Sequence, residues 1–137
     1  MLCGITQLFR GVDSYFWAIH DQKPEGIGAT VHFIDSNIDT GKIILQTRPV
    51  ISTSDSLHDL FFKSVQTSFQ TMKTALDGLL SNKLKPQTLI KPGKLYQNKH
   101  FNEDSLIRAE KQRNLVLKNY LYLSLKNRQK IFNHGSI

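Results

Sequence analysis

One short stretch of this 137-residue chain gathers the side chains best suited to moving protons. It runs Thr30-Val31-His32-Phe33-Ile34-Asp35 and on through Asn37-Ile38-Asp39-Thr40-Gly41, so one imidazole and two carboxylates lie close together in sequence. Alternation makes residues 29–34 a strand, with Ala29, Val31 and Phe33 on one face and Thr30, His32 and Ile34 on the other. His32 then projects sideways from a sheet, and Asp35 and Asp39 stand in the loop that follows. Carboxylates at a strand end are well placed to transfer a proton or to orient an imidazole. Asn37 and Gly41 are expected to take the left-handed backbone angles that tighten this loop. A capped turn asks for the same residue types, so spacing alone leaves a structural and a catalytic reading both open.

Two other groupings carry weaker chemistry. Phe9-Arg10-Gly11 leads into Tyr15-Phe16-Trp17, and Gly11 before a helix start would let a ligand approach backbone amides at that positive end. An aromatic-rich short helix serves a core equally well. Near the C-terminus Tyr96, Phe101, Tyr120 and Tyr122 lie among lysines and arginines, where aromatics can stack nucleobases, although their helical spacing suits packing. Cys3 is the single cysteine and has no His or Cys neighbour at ligand spacing, so neither an internal disulfide nor a zinc site is expected. No metal is expected, and a reducing, cytoplasmic setting is.

The elements that must hold these residues follow from the pattern. Residues 12–20 read as a short helix, with Tyr15, Phe16 and Ile19 at three- and four-residue spacing and Asp13 as its cap. Pro24, Gly26 and Gly28 make residues 21–28 a turn. Residues 43–51 resume strand character, and Pro49 marks an edge or a strand end. From Ser54 to about Leu80 the apolar positions Leu57, Leu60, Phe61, Val65, Phe69, Met72, Leu76 and Leu79 predict a long amphipathic helix, with Thr53, Ser54 and Asp55 available as caps. Leu89-Ile90 and Leu95-Tyr96 offer short strands in an irregular stretch. Residues 104–131 read as one or two basic helices with Leu106, Ile107, Leu115, Leu117, Tyr120, Leu121 and Leu125 as buried positions.

Composition bounds the rest. Hydrophobic residues make up 39% and charged residues 21%, ordinary values for a chain that folds. No stretch approaches the roughly 20 apolar residues that span a bilayer, and no targeting segment is recognisable. The formal charge of +7 is uneven: residues 1–82 hold 6 basic and 8 acidic side chains, residues 83–137 hold 12 and 3. Such a tail is either a solvated face or a surface that steers a phosphorylated or nucleic-acid partner.

Taken in order, Gly4-Ile5-Thr6, Phe9-Arg10-Gly11, Trp17-Ala18-Ile19 and the series Gly28, Thr30, Val31, His32, Asp35, Asp39, Thr40, Gly41, Ile43, Ile44 and Gln46 form a specific set. The set resembles the second half of the formyltransferase domain shared by glycinamide ribonucleotide, methionyl-tRNA and sugar-nucleotide N-formyltransferases. The resemblance implies an α/β fold, the C-terminal part of a Rossmann-like formyltransferase domain over residues 1–82, followed by a mainly helical basic extension over residues 83–137. It implies a formyl group moved from 10-formyltetrahydrofolate to a small-molecule amine acceptor, a phosphorylated one being compatible with the basic tail; tRNA stays open as an acceptor but is not indicated. By that resemblance Asp39 falls on the catalytic aspartate and His32 on the histidine of the preceding strand. Asp35, Asn37, Asp39 and Gly41 fall on the loop that holds the pterin, and Arg10 and Gly11 on the acceptor side.

One departure matters. The family donates hydrogen bonds to the oxyanion from an Asn-x-His motif, and alignment on Cys3-Gly4 puts Leu2 where that histidine stands and the asparagine ahead of Met1. Losing a single oxyanion donor costs about 10²–10³ in rate, so a truncated chain with little turnover of its own is expected. The opposing readings are a non-catalytic remnant serving as a binding module, and a small basic nucleic-acid-binding protein whose affinity would fall steeply with salt. Strands cut from a parallel sheet would also leave an exposed edge through which the chain self-associates.

Overall fold

The computed structural model describes residues 1–133. The elements follow in the order β1 (Phe9–Gly11), α1 (Ser14–His20), a 3-10 turn (Pro24–Gly26), β2 (Ala29–His32), β3 (Ile43–Thr47), α2 (Leu57–Leu80), β4 (Lys94–Tyr96), a second 3-10 turn (Asn98–His100) and α3 (Glu103–Asn133). This is the mixed α/β arrangement expected, with a long C-terminal helix. The strands form two pairs: β1 and β4 run parallel, whereas β2 and β3 run antiparallel. The parallel sheet implied for the β2–β3 pair is therefore not what that pair adopts. Only residues 33–42 separate the two strands, enough for a hairpin and too few for a parallel crossover.

Each side of the hairpin is extended by one bridge. Leu2 pairs with Thr30 through both backbone groups, at 2.8 and 2.9 Å, and Gln87 pairs with Ile43 in the same way. Leu89 and Ile90 form no strand; Lys94–Tyr96 does. Pro49 lies just past the end of β3, as its missing N–H requires.

The main core gathers Phe9, Phe16, Trp17, Ile19, Ile27, Leu60 and Tyr96 with Ala109, Val116 and Leu117 of α3. Trp17 stacks flat on Tyr96, with centroids 3.9 Å apart and planes within 1°. The change in charge at residue 83 is thus not a break in packing, since β4 and α3 share this core with β1 and α1. On α3 the side chains buried in that core are Ala109, Val116 and Leu117, with Tyr120 and Leu121 leaning against it. Leu106, Ile107, Leu115 and Leu125, expected inside, are exposed. Ala109 and Val116 were missed because short side chains let the helix lie close to α1, and a count of large apolar residues overlooks them.

Two caps differ from expectation. Asp13 stands at the start of α1 in a left-handed conformation and its side chain makes no capping bond. The start is held instead by the Asp13 carbonyl, which accepts from the N–H groups of Phe16 and Trp17. For α2 the cap is Ser56, not Thr53, Ser54 or Asp55. Its hydroxyl accepts from Asp59 N–H, while the Asp59 carboxylate accepts from Ser56 N–H, a reciprocal box.

The face of α2 that lies inward consists of Leu60, Ser64, Ser68, Thr71 and Ala75. Phe61, Phe69 and Leu76, expected to be buried, are exposed. Small residues bring the helix close to β2 and β3, and two hydroxyls are satisfied within the helix: Ser68 donates to Ser64 O at 2.8 Å and Thr71 to Thr67 O at 2.6 Å.

Candidate functional site

Strand β2 ends at His32, and the loop of residues 33–42 returns to β3. His32 donates from Nδ1 to its neighbour's carbonyl, Phe33 O, at 2.8 Å, which fixes the tautomer and leaves Nε2 facing the loop. There Asp39 Oδ1 lies 3.3 Å away, with the two side chains 7% and 19% exposed. This is ion-pair distance without hydrogen-bond geometry, so Nε2 is a buried nitrogen whose bonding capacity is unfilled. The other oxygen of Asp39 accepts from Gly11 N–H at 2.9 Å. One carboxylate thereby joins the end of β2 to the start of α1.

The loop is shaped differently from the expectation that Asn37 and Gly41 would carry the left-handed angles. The positive φ, 53°, falls on Asp39 itself, a residue type that tolerates it at modest cost. Gly41 is required for space: a Cβ there would stand 1.6 Å from Phe33 O. Asp35 anchors the loop by accepting from the Thr40 hydroxyl at 2.7 and 2.8 Å and from Asn37 N–H at 3.0 Å. The Thr40 hydroxyl, then the Asn37 N–H, hold the Asp35 carboxyl below its ordinary range.

Arg10 and Gly11 are placed as braces. The Arg10 guanidinium donates from Nε to Gly93 O at 2.8 Å and from Nη1 to Ile38 O at 2.9 Å, tying the loop to the segment before β4. Gly11 has φ +93°, and a Cβ on it would meet Tyr96 O at 1.9 Å. Its N–H is taken by Asp39.

Asp39 and Gly11 face a cleft of about 310 Å³ that is also lined by Met1, Leu2, Cys3, Ser14, Tyr15 and Phe61. Sequence reasoning singled out Leu2, and Tyr15 within the aromatic group after Gly11, but missed Phe61, whose ring meets that of Tyr15 at 5.6 Å and completes the wall. The only signal for Phe61 was its place in the apolar pattern of α2. The Ser14 hydroxyl is buried at this wall without a partner.

Behind the cleft, three residues of the sequence pattern prove to be scaffolding. The Thr30 hydroxyl donates to Gly4 O at 2.6 Å and accepts from Gln46 Nε2 at 2.9 Å. Gln46 and Gln7 exchange amide bonds at 2.6 and 3.0 Å. The N-terminal segment is thereby clamped across the hairpin. Of the C-terminal aromatics, Tyr96 is buried and Tyr120 half-buried, so the four do not form a stacking platform. Among the described residues no cluster of three His, Cys, Asp or Glu side chains has metal-site geometry, and no helix is long and apolar enough to cross a membrane.

With this geometry in view, comparison with known proteins is direct. The family model described as formyl transferase matches residues 6–76, more than half of the chain. The chain belongs to the formyl transferase family. Among solved structures it is similar to the formyltransferase PseJ from Anoxybacillus kamchatkensis, crystallised with UDP-4,6-dideoxy-4-formamido-L-AltNAc and tetrahydrofolate. That match has a TM-score of 0.64 and 24% identity, and covers 72% of this chain and 51% of that one. It is similar also to an N-formyltransferase from Helicobacter canadensis, in complex with folinic acid and dTDP-3-aminofucose (TM-score 0.64, 21% identity, 85% and 46% covered). A likely sugar N-formyltransferase from Mycobacterium tuberculosis gives a TM-score of 0.65 at 20% identity, with 82% and 52% covered. The chain spans about half the length of the solved structures it matches, and at these identities the likeness establishes the fold.

Proposed function

We propose that this chain carries the folate-loop side of a formyltransferase site, in which a formyl group passes from 10-formyltetrahydrofolate to the amine of a sugar nucleotide. The observation that carries the reading is the Asp39 carboxylate, held between His32 Nε2 and Gly11 N–H at the mouth of a cleft. The sugar-nucleotide acceptor is favoured because two of the solved structures named above, those from Anoxybacillus kamchatkensis and Helicobacter canadensis, hold such ligands. Residues 1–82 belong to the catalytic domain in this reading and residues 83–137 to the basic extension that leans on it, in a cytoplasmic protein of one-carbon metabolism.

The loop suits a folate ring. Phe33, Ile34 and Ile38 expose apolar surface around a polar centre of Asp35, Thr40 and backbone groups, and His32 Nε2 has bonding capacity to spare. Asp35, Asn37, Asp39 and Gly41 would hold the pterin. The folate supplies the formyl carbon when bound.

The chain's own residues would do the following. Asp39 is placed to accept the proton that the acceptor nitrogen must lose as it gains a bond to carbon, and His32 is placed to share that proton through Nε2. Arg10 holds the loop in the geometry that makes this possible. Leu2, which lines the same cleft, offers no donor for charge developing on oxygen, so this chain contributes the proton-handling side and not the oxyanion side.

The test uses the protein isolated from its source cells with whatever polypeptide accompanies it. Incubated with 10-formyltetrahydrofolate and a panel of amino-sugar nucleotides, it should yield an N-formylated sugar nucleotide detectable by mass. An Asp39→Asn allele should lower the rate about 10²-fold or more. Absence of product with every amine, or a rate indifferent to Asp39→Asn, would refute the reading.

A further inference from the structure

A second hollow, of about 400 Å³, opens where Trp17 and His20 of α1 meet Lys94 and Tyr96 of β4, His100 of the second 3-10 turn and Arg108 of α3. It shares no lining residue with the cleft at Asp39, which takes Ser14 and Tyr15 from the first turn of the same helix. Its floor is rigid and closed to stacking. Trp17 lies flat on Tyr96, and both side chains are buried, so neither offers a face to a base.

What the hollow presents is positive charge and N–H donors. Arg108 is exposed, and among the described residues it pairs with no carboxylate, not even Asp104 four residues before it. Lys94 Nζ stands 4.5 Å over the Tyr96 ring and 3.9 Å from Asp21. That carboxylate already accepts from the Tyr96 hydroxyl and from His20 Nδ1, each at 2.7 Å, so the ammonium keeps donors to spare. Gln97 N–H donates to His100 Nδ1 at 2.8 Å. The proton of that ring therefore sits on Nε2, an N–H donor even when the imidazole is neutral. Asn102 and Ser105 are spent on each other at the start of α3. Asp104 is the one carboxylate in the lining, against two fixed cations.

We propose that this hollow binds the phosphate of a small phosphorylated molecule, at a site separate from the cleft of Asp39. A guanidinium fork, an ammonium and a neutral imidazole N–H are the donors that phosphate oxygens take. They come from three elements and surround a volume near the lower end of small-molecule sites. A nucleic-acid strand would want a longer basic track with open aromatic faces, and Trp17 and Tyr96 supply none. The inference stands apart from the proposed function, since it uses neither the folate loop nor the residues that handle the proton.

Trp17 is the single tryptophan and lines the hollow, so its emission reports occupancy. Inorganic pyrophosphate titrated into the 137-residue chain at fixed ionic strength should change that emission saturably, with the heat of binding read in parallel. Arg108→Gln and Lys94→Gln should each raise the Kd about tenfold or more, as for loss of a hydrogen bond to a charged group. Lys118→Gln removes the same charge from an exposed position outside the hollow and should change the Kd less than about twofold, because salt screens distant surface charges. No saturable binding, an equal loss in Lys118→Gln, or binding of a single-stranded oligonucleotide but not of pyrophosphate would overturn the proposal. Circular dichroism checks each variant. Should Lys94→Gln not fold, Arg108→Gln, at an exposed helix position, decides alone.

Discussion

At the scale of single residues, the site depends on two glycines and one aspartate more than on the imidazole that first draws attention. Gly11 has φ +93° and its missing Cβ leaves room for Tyr96 O. Gly11→Ala should therefore lower stability by about 2 kcal/mol or more, read as a drop in the urea midpoint, with the Asp39 carboxylate losing its tie to the Gly11 N–H. Gly41→Ala meets Phe33 O in the same way and should weaken folate binding. His32 and Asp39 were legible from their order in the strand and loop. The Gly11 N–H that completes their arrangement was not, because a bond across 28 residues leaves no trace in local spacing. The left-handed angle was assigned by residue type to Asn37 and Gly41. It fell on Asp39 because that backbone must turn its carboxylate toward both β2 and α1.

At the scale of elements, α2 is both the best-read piece of the fold and the most misread face. Its existence followed from the recurrence of Leu57, Leu60, Phe61, Val65 and their successors. Which side is buried did not, because a sheet that accepts Ser64, Ser68 and Ala75 leaves the large residues exposed. The helix start rests on one reciprocal cap, so Ser56→Ala should cost about 1 kcal/mol, measured by thermal melting, whereas Ser54→Ala should cost nothing comparable. The hairpin was legible as two strands around a loop. Its antiparallel pairing follows from the loop's length and overrides the parallel arrangement inferred by likeness.

At the scale of the whole molecule, the basic C-terminal segment is tied into the core. Gln112 donates to Ile19 O at 2.8 Å, Arg113 donates to Asp55 O, and Leu117 is completely buried beside α1. Leu117→Ala should cost about 2–5 kcal/mol and lower a single unfolding transition seen alike by far-ultraviolet circular dichroism and Trp17 fluorescence. Acid should also weaken the fold. Three carboxyls are held below the ordinary value of 3.8: Asp35 by the Thr40 hydroxyl, Asp59 by the Ser56 N–H, and Asp21 despite its burial, through bonds from Tyr96 and His20. Unfolding raises their proton affinity, so their contribution is present above pH 3.8 and is lost as pH falls through the lower native values. Urea midpoints should hold from neutral pH to about pH 4.5 and decline below it, less so in Asp21→Asn. The central claim, that His32, Asp39 and their loop form the folate side of a formyltransferase site, is tested most directly by calorimetric titration of tetrahydrofolate into the 137-residue chain. Saturable binding, weakened about tenfold or more by Asp35→Ala or Asp39→Asn with circular dichroism unchanged, is the predicted result. A folded chain that binds no folate, or binds it equally well in both variants, would contradict the account.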